Sequence, residues 1–583
     1  MTMRLGGEVV AAMLAAEGVD TVFGIVDGTY LGLFASFEKY GIRFYSPRHE
    51  TCALHMAGAY ARLTGKLGVC IASNGPGVAN ALPGVAVENG EGNRVLLLTS
   101  CRRQGIAYPD RGGTYQYFDQ AAVTRPMAKW SCAVPSFDRI PELMRRAFRI
   151  AHRGRPGVVH VDLPENVLNN AFPAGDDWVR TPHQYRRTEP LRAAPADVER
   201  VAAMLREAER PLIHAGSGIV HALAYDELLE VAELAHAPVS TSWGARAVMP
   251  DAHKLALPVP LLSVVNECRA AADVVLVVGS RLGETDWWGK APYWGRGAAQ
   301  RLVQVDGDEE LLGLNKPAEL NILADAKAFL ADLAQALRAE RVTAERMRAR
   351  EERIVELAAA KAKARAELDL ALENRDSPLH PAQVPHVCDQ VFDEDAIVVV
   401  DGGNTAVWTT FFHEVKRPGG VLSTFKFGML GAGVSQALGA KVARPDAQVY
   451  CVIGDGAMGF HAQELETAVR HRLPVTYIVL CDRQWGMVKL TQTMALPAIR
   501  EQLGVEGEGV INADFQEIEF DKLAQSMGAH GERVSSPDEL RAALLRCVGE
   551  ARPSVVHVDV DPMQHLFAPG LQEFKAMHQE PAG

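Results

Sequence analysis

The sequence predicts an α/β protein of doubly wound parallel sheets, spread over more than one domain. Three observations carry that prediction. Short apolar runs ending at glycine or aspartate alternate with helix-like stretches, the pattern of open parallel sheets. Residues 449–486 show the pattern whole: strand, glycine–acid–glycine turn, helix, strand, polar turn. And 583 residues are too many for one domain, three of ordinary size being the natural division.

Composition excludes several classes of protein. At 48% hydrophobic and 23% charged residues, the chain reads as soluble and globular. A net charge of −12 argues against a nucleic-acid partner. No apolar run approaches the length of a membrane span, and the N-terminus lacks a signal-peptide core, so the expected location is the cytoplasm. The nine cysteines are scattered without a CxxC pair, which suits reduced thiols better than disulfides or zinc ligands.

In chain order, residues 1–175 open with an amphipathic helix candidate at 6–17 and a strand at 22–26. Arg48-His49-Glu50 follows Phe44-Tyr45 and precedes a small-residue helix at 53–64. A strand at 67–72 enters Asn74-Gly75-Pro76-Gly77, and further strands are read at 94–99 and 157–163. Residues 112–129 read as a polar loop. In residues 190–340 strands run into Gly216-Ser217-Gly218, into Gly279-Ser280-Arg281 and to Asp306. Residues 341–378 are charged and helix-prone, a solvated linker helix. Residues 379–565 carry a strand ending in Asp401-Gly402-Gly403-Asn404-Thr405, then a glycine cluster, Gly428-Met429-Leu430-Gly431-Ala432-Gly433, then the 449–486 unit. Residues 566–583 form a tail.

The chemistry of the 449–486 unit is readable from its residues. Parallel strands deliver their C-terminal ends to one edge, so Asp455 and Asp482 fall side by side. Two carboxylates by a helix N-terminus suit a hard divalent cation that in turn holds a diphosphate. Glycines at 454 and 456 allow close backbone approach. Glu50, read alone, is more readily a helix-capping acid than a functional one.

Gly454-Asp455-Gly456 followed by a second strand ending in Cys481-Asp482 resembles the thiamine diphosphate signature, in which a paired Asn-Asn stands at the second position. The resemblance extends over nearly the whole chain. It implies three α/β domains: a pyrimidine-binding one (1–175), a middle one (190–340) and a diphosphate-binding one (379–565). It implies Mg²⁺ held by Asp455, Asp482 and the backbone carbonyl of Gln484, with Gly454, Gly456 and Ala457 beside the diphosphate. Asp482 adds a charge where the family has an amide, which is expected to alter metal affinity without abolishing it. By the same match Glu50 bonds the aminopyrimidine ring nitrogen, and Gly75 of the Gly-Pro-Gly turn and Asn404 join the cofactor-binding set. Leu430 takes the place of the side chain wedged between the two cofactor rings, with the Gly428 carbonyl facing the amino group.

Within the family the closest local patterns are those of acetolactate synthases. The segment from Tyr115-Gln116-Tyr117 to Thr124-Arg125-Pro126 and Lys129 resembles their loop, making Gln116 a second catalytic candidate. Gly486-Met487-Val488-Lys489 with Gln492 resembles another of their segments. Gly402-Gly403-Asn404-Thr405 is also similar to oxalyl-CoA decarboxylase and 2-hydroxyacyl-CoA lyase, and Arg483-Gln484-Trp485-Gly486 to sulfoacetaldehyde acetyltransferase. Simple 2-oxo acid decarboxylases of the family carry a glutamate where Val488 stands and a His-His pair in the first-domain loop, both missing here. The resemblance therefore implies a carboligase on 2-oxo acids, with lyase, decarboxylase and acetyltransferase readings behind it and a cofactor-binding regulatory homologue as the non-enzyme alternative. It implies a homodimer or homotetramer with a small-molecule substrate and no membrane partner. The middle domain holds FAD in some relatives and ADP or CoA in others. Here Gly283-Glu284-Thr285-Asp286-Trp287-Trp288-Gly289 replaces the acetolactate synthase segment, so each of these stays open.

Overall fold

Runs such as Val95–Cys101 have no polar face: Leu96, Leu97 and Leu98 are all buried. A strand covered on both sides belongs inside a parallel sheet with helices above and below. The computed structural model describes residues 2–107, 110–175 and 177–582 and divides into two compact units, residues 1–190 with 435–445 and residues 191–434 with 446–583.

The first unit holds β1 (Thr2–Leu5), β2 (Thr21–Gly24), β3 (Arg43–Tyr45), β4 (Gly68–Ala72), β5 (Val95–Cys101), β6 (Trp130–Ala133), β7 (Val158–Pro164) and β8 (Ala171–Ala174). Six of them form a parallel sheet in the order β3-β2-β4-β5-β7-β6, and β1 pairs antiparallel with β8. Val22, Leu96, Leu98, Val159 and Phe148 lie in its core.

The second unit contains two more six-stranded parallel sheets. The middle one comprises β9 (Pro211–Ala215), β10 (Val239–Thr241), β11 (Ala256–Leu257), β12 (Val274–Val278), β13 (Arg301–Asp306) and β14 (Leu320–Leu323), ordered β11-β10-β9-β12-β13-β14. The third comprises β15 (Ile397–Asp401), β16 (Val421–Ser423), β17 (Val449–Gly454), β18 (Thr476–Cys481), β19 (His530–Val534) and β20 (Ser554–Asp559), ordered β16-β15-β17-β18-β20-β19. In each the first strand sends the chain one way and then the other. The strand order therefore reverses between β9 and β12 and between β15 and β17, the places where open α/β sheets bind ligands.

Two expectations from the sequence are corrected. Residues 112–129 are not all loop: Asp119 accepts a hydrogen bond from the Ala122 N–H and caps a short helix, Gln120–Thr124, too brief to show a period. The linker helix, Ala344–Asp369, is not simply solvated. Arg350 is buried and donates to the carbonyls of Leu205, Ala208 and Ala235, while Ile354 and Leu357 enter apolar clusters. One guanidinium satisfies several helix-end carbonyls at once, so a polar-looking helix is docked through a charged residue.

Candidate active site

The register of the third sheet builds the site. Gly454 pairs with Leu480 and Asp401 with Ile453, so Asp455, Asp482 and the turn leading to Asn404 leave their strands at nearly one level. Asp455 opens the helix Asp455–His461, in which Ala457 is buried. Its Oδ1 accepts from the Gly456 N–H and its Oδ2 from the Arg483 N–H, both at 2.7 Å. The second bond requires Arg483 to adopt φ +58°, an unusual backbone for a residue with a Cβ. A side chain at Gly456 would meet the Trp485 ring at 2.7 Å, which is why this turn needs glycine.

Asp482 is buried; its Oδ1 accepts from the Gln484 N–H at 3.3 Å and its Oδ2 from Gln484 Nε2 at 3.0 Å. Burial, then the neighbouring Asp482 charge, push the Asp455 carboxyl up to about 7 against the pull of its two N–H donors. Asn404 begins the helix Asn404–Phe412; its Nδ2 donates to the Leu566 carbonyl, and its Oδ1 is buried without a hydrogen-bond partner. Leu430 is half-buried and Gly428 exposed, in the turn after Thr424, whose carbonyl accepts from the Gly428 N–H at 2.7 Å. Cys481, just before Asp482, is buried, and burial pushes its thiol well above the usual range.

In the first unit Glu50 is buried in the first turn of the helix Glu50–Thr64. It is not the cap: His49 Nδ1 accepts the Thr51 N–H. Glu50 Oε2 accepts from Asn80 Nδ2 at 3.2 Å. Gly75 has φ +61°, and a Cβ there would lie 2.6 Å from the Gln116 carbonyl oxygen, so the turn admits only glycine. Gln116 is exposed, with φ +53°, and its carbonyl accepts from Asn74 Nδ2. Gln120, buried, accepts the Gly75 N–H and donates to Asp162, whose carboxyl burial lifts to about 6.

Two buried, mutually repelling carboxylates and one unpaired amide oxygen at a sheet switch point form a donor set for a hard cation and for a ligand that brings an N–H. The comparisons agree with that chemistry. Three family models match in order: "Thiamine pyrophosphate enzyme, N-terminal TPP binding domain" at residues 4–123, the "central domain" at 198–333 and the "C-terminal TPP binding domain" at 401–558. An acetolactate synthase large subunit of Mycobacterium tuberculosis is 30% identical over 559 residues, covering 95% of this chain and 96% of its own. The chain belongs to the thiamine pyrophosphate enzyme family. A probable acetolactate synthase large subunit of Methanocaldococcus jannaschii is 29% identical over 572 residues, covering 96% of this chain and 93% of its own. A 2-hydroxyacyl-CoA lyase of Arabidopsis thaliana is also 29% identical, over 582 residues and 97% of each chain. This thiamine pyrophosphate enzyme is thus similar to a synthase and to a lyase at the same level. No described helix is long and apolar enough to cross a membrane.

The middle domain of this thiamine pyrophosphate enzyme presents a different edge. At its switch point the Gly216 N–H donates to Val278 O and the Gly218 N–H to Gly279 O, tying the two loops together. Asp286 turns inward, accepting from Ser242 Oγ at 2.6 Å and Ser280 Oγ at 3.3 Å, with His214 and Arg269 at 3.5 and 3.7 Å. Trp287 and Trp294 are buried in the apolar cluster below, as packing residues.

Sequence reasoning missed the Arg483 N–H, Asn80, Gln120 and His565, which contacts Asp482. Asn80 and His565 lie outside every motif read from the sequence, and Arg483 acts through its backbone. Lys129, at the end of the segment that resembles the acetolactate synthase loop, donates its ammonium hydrogens to the carbonyls of Arg153 and Arg155.

Proposed function

We propose that this enzyme is a thiamine diphosphate- and Mg²⁺-dependent carboligase of the acetolactate synthase kind, acting on 2-oxo acids. Asp455, Asp482 and the Gln484 carbonyl hold the cation, and Gly454, Gly456 and Ala457 border the diphosphate. Asn404 Oδ1 accepts from the bound group, Leu430 and Gly428 orient it, and Gly75 shapes the turn beside it. Glu50 holds and moves a proton at the pyrimidine ring nitrogen from a buried position, where the proton is shared and not lost to water. Gln116 serves the substrate side. When bound, thiamine diphosphate supplies the electron sink that lets a bond beside a carbonyl break or form. A homodimer or homotetramer in the cytoplasm is the working form, and FAD, ADP or CoA in the middle domain each stay open.

The observation that supports ligation over aldehyde release is Val488. It lies in the first turn of the helix Gly486–Leu503, next to Met487, the side chain nearest to Gly403. An apolar side chain offers no proton there, so the acyl unit persists until a second carbonyl accepts it. The test is incubation of holoenzyme with pyruvate, other 2-oxo acids and acyl-CoA thioesters, with products identified by mass. A carboligation product is expected; free aldehyde as the main product in the presence of abundant acceptor overturns the reading. Gly402-Gly403-Asn404-Thr405 at the switch point, with Gly402 at φ +103°, supports 2-hydroxyacyl-CoA cleavage as the second reading, and the same panel separates the two.

A further inference from the structure

Asp482 stands where the family pattern has an amide, and the structure shows what that exchange is coupled to. Beyond β20, Asp561 accepts the N–H groups of Met563 and Gln564 and starts the short helix Pro562–Leu566, which fixes His565 in a buried position. His565 Nδ1 lies 2.5 Å from Asp482 Oδ2. On the far side of the ring, Thr405 Oγ1 lies 3.1 Å from Nε2, and the Trp408 indole N–H donates to the His565 carbonyl at 3.1 Å. A carboxylate oxygen only accepts, so Nδ1 carries the hydrogen and Nε2 takes that of the Thr405 hydroxyl. Oδ2 therefore receives two donors, His565 Nδ1 and Gln484 Nε2, whereas Oδ1 has the longer 3.3 Å bond from the Gln484 N–H.

We propose that His565, backed by Thr405, is a positioning residue that turns Asp482 so that Oδ1 is the oxygen offered to the cation. Asp482 and His565 are then a matched pair that replaces the family amide. This rests on the reading of Asp482 as a cation ligand. Asparagine alone does not fit the surroundings. If its oxygen accepts from His565 and Gln484, its NH₂ faces the cation; if its oxygen faces the cation, its NH₂ meets two donors. Asp482→Asn, mild on the sequence pattern alone, becomes costly while His565 donates from Nδ1.

The test is a double-mutant cycle in the full-length protein, read as Mn²⁺ affinity by electron paramagnetic resonance with thiamine diphosphate present. His565→Phe is expected to weaken Mn²⁺ binding about ten- to hundredfold, the usual range for a partner of a metal ligand. In the Asp482→Asn background the same change is expected to cost less than about threefold, because the two residues act through one contact. Wild-type affinity in His565→Phe, or equal losses in both backgrounds, overturns the pairing. If His565→Phe does not fold, as judged by circular dichroism, Thr405→Val decides. It should shift the imidazole N–H proton resonance and weaken Mn²⁺ binding in the wild type but not in Asp482→Asn; an unchanged resonance and affinity overturn the proposal. Wild-type protein that fails to bind Mn²⁺ with thiamine diphosphate overturns the cation site itself, a distinct result from an additive cycle.

Discussion

At the edge of the third sheet, the loops after β15 and β17 leave an amide oxygen, Asn404 Oδ1, without a partner beside two buried carboxylates. At the corresponding edge of the middle sheet, the loops after β9 and β12 hydrogen-bond to one another, and Asp286 is surrounded by Ser242, Ser280, His214 and Arg269. Both edges lie where a six-stranded parallel sheet reverses its strand order, and both carry glycine-rich turns. They differ in whether the charge that burial makes costly is matched from within the chain. Asp286 has its cation in Arg269, and although burial pushes its carboxyl up, His214, Arg269 and Ser242 together bring it down to about 2. Asp455 has another carboxylate as neighbour and is pushed up to about 7. Topology marks both places as crevices, and the two differ in how their buried charge is matched: Asp286 has Arg269 and His214 within 3.7 Å, although its Oδ1 makes no hydrogen bond, whereas Asp455 faces Asp482.

The sharpest way to break this comparison is Asp455→Ala. Metal and cofactor affinity are expected to fall together by more than about a hundredfold, since in the proposed function the ion joins protein to diphosphate. Isothermal titration with Mg²⁺ and thiamine diphosphate measures it, and retained affinity would place the cation elsewhere. Glu50→Gln separates holding from chemistry: cofactor affinity stays near wild type while turnover falls about 10²- to 10⁴-fold. Exchange of the thiazolium proton, followed by NMR, should slow in parallel. Asp286→Ala tests the middle edge. Leaving Arg269 buried without its partner is expected to cost roughly 3–5 kcal/mol in urea unfolding, with Mg²⁺ and thiamine diphosphate affinity unchanged. Because the Asp286 carboxyl is depressed, its contribution is present above the unfolded value of about 4 and is lost as pH falls toward about 2. Asp286→Asn should flatten that part of the stability profile. The smallest effect is in product balance: Val488→Glu should raise the aldehyde fraction at little cost in stability, as Val488 is 50% exposed.

Much of this was legible in residue order. Apolar runs such as those at 95–101 and 449–454 fold as strands because they have no polar face to turn to water, and parallel pairing then puts Asp455 and Asp482 at one edge. Strands of two or three residues, such as Ala256–Leu257 and Val421–Ser423, carry too little pattern to be seen. The partner of Asp482 was illegible for another reason. His565 reaches it from the short helix Pro562–Leu566 that follows the last strand, and no local spacing encodes that meeting. The Arg483 N–H was hidden because its role depends on a left-handed backbone and not on its side chain. The docking of the linker helix was illegible because charge ordinarily marks solvent, whereas the Arg350 guanidinium is spent on carbonyls.

Cys481 has a consequence for how the protein survives its own substrates. On the proposed function, a thiolate here would add to the carbonyl of a 2-oxo acid as a hemithioketal, the carbonyl oxygen taking a proton from water. Burial keeps this thiol protonated, and its sulfur donates to the Val479 carbonyl at 3.4 Å. The most reactive side-chain type in the chain therefore sits next to the candidate cation site in its least reactive form, and alkylating reagents should leave it unmodified for as long as the sheet stays folded.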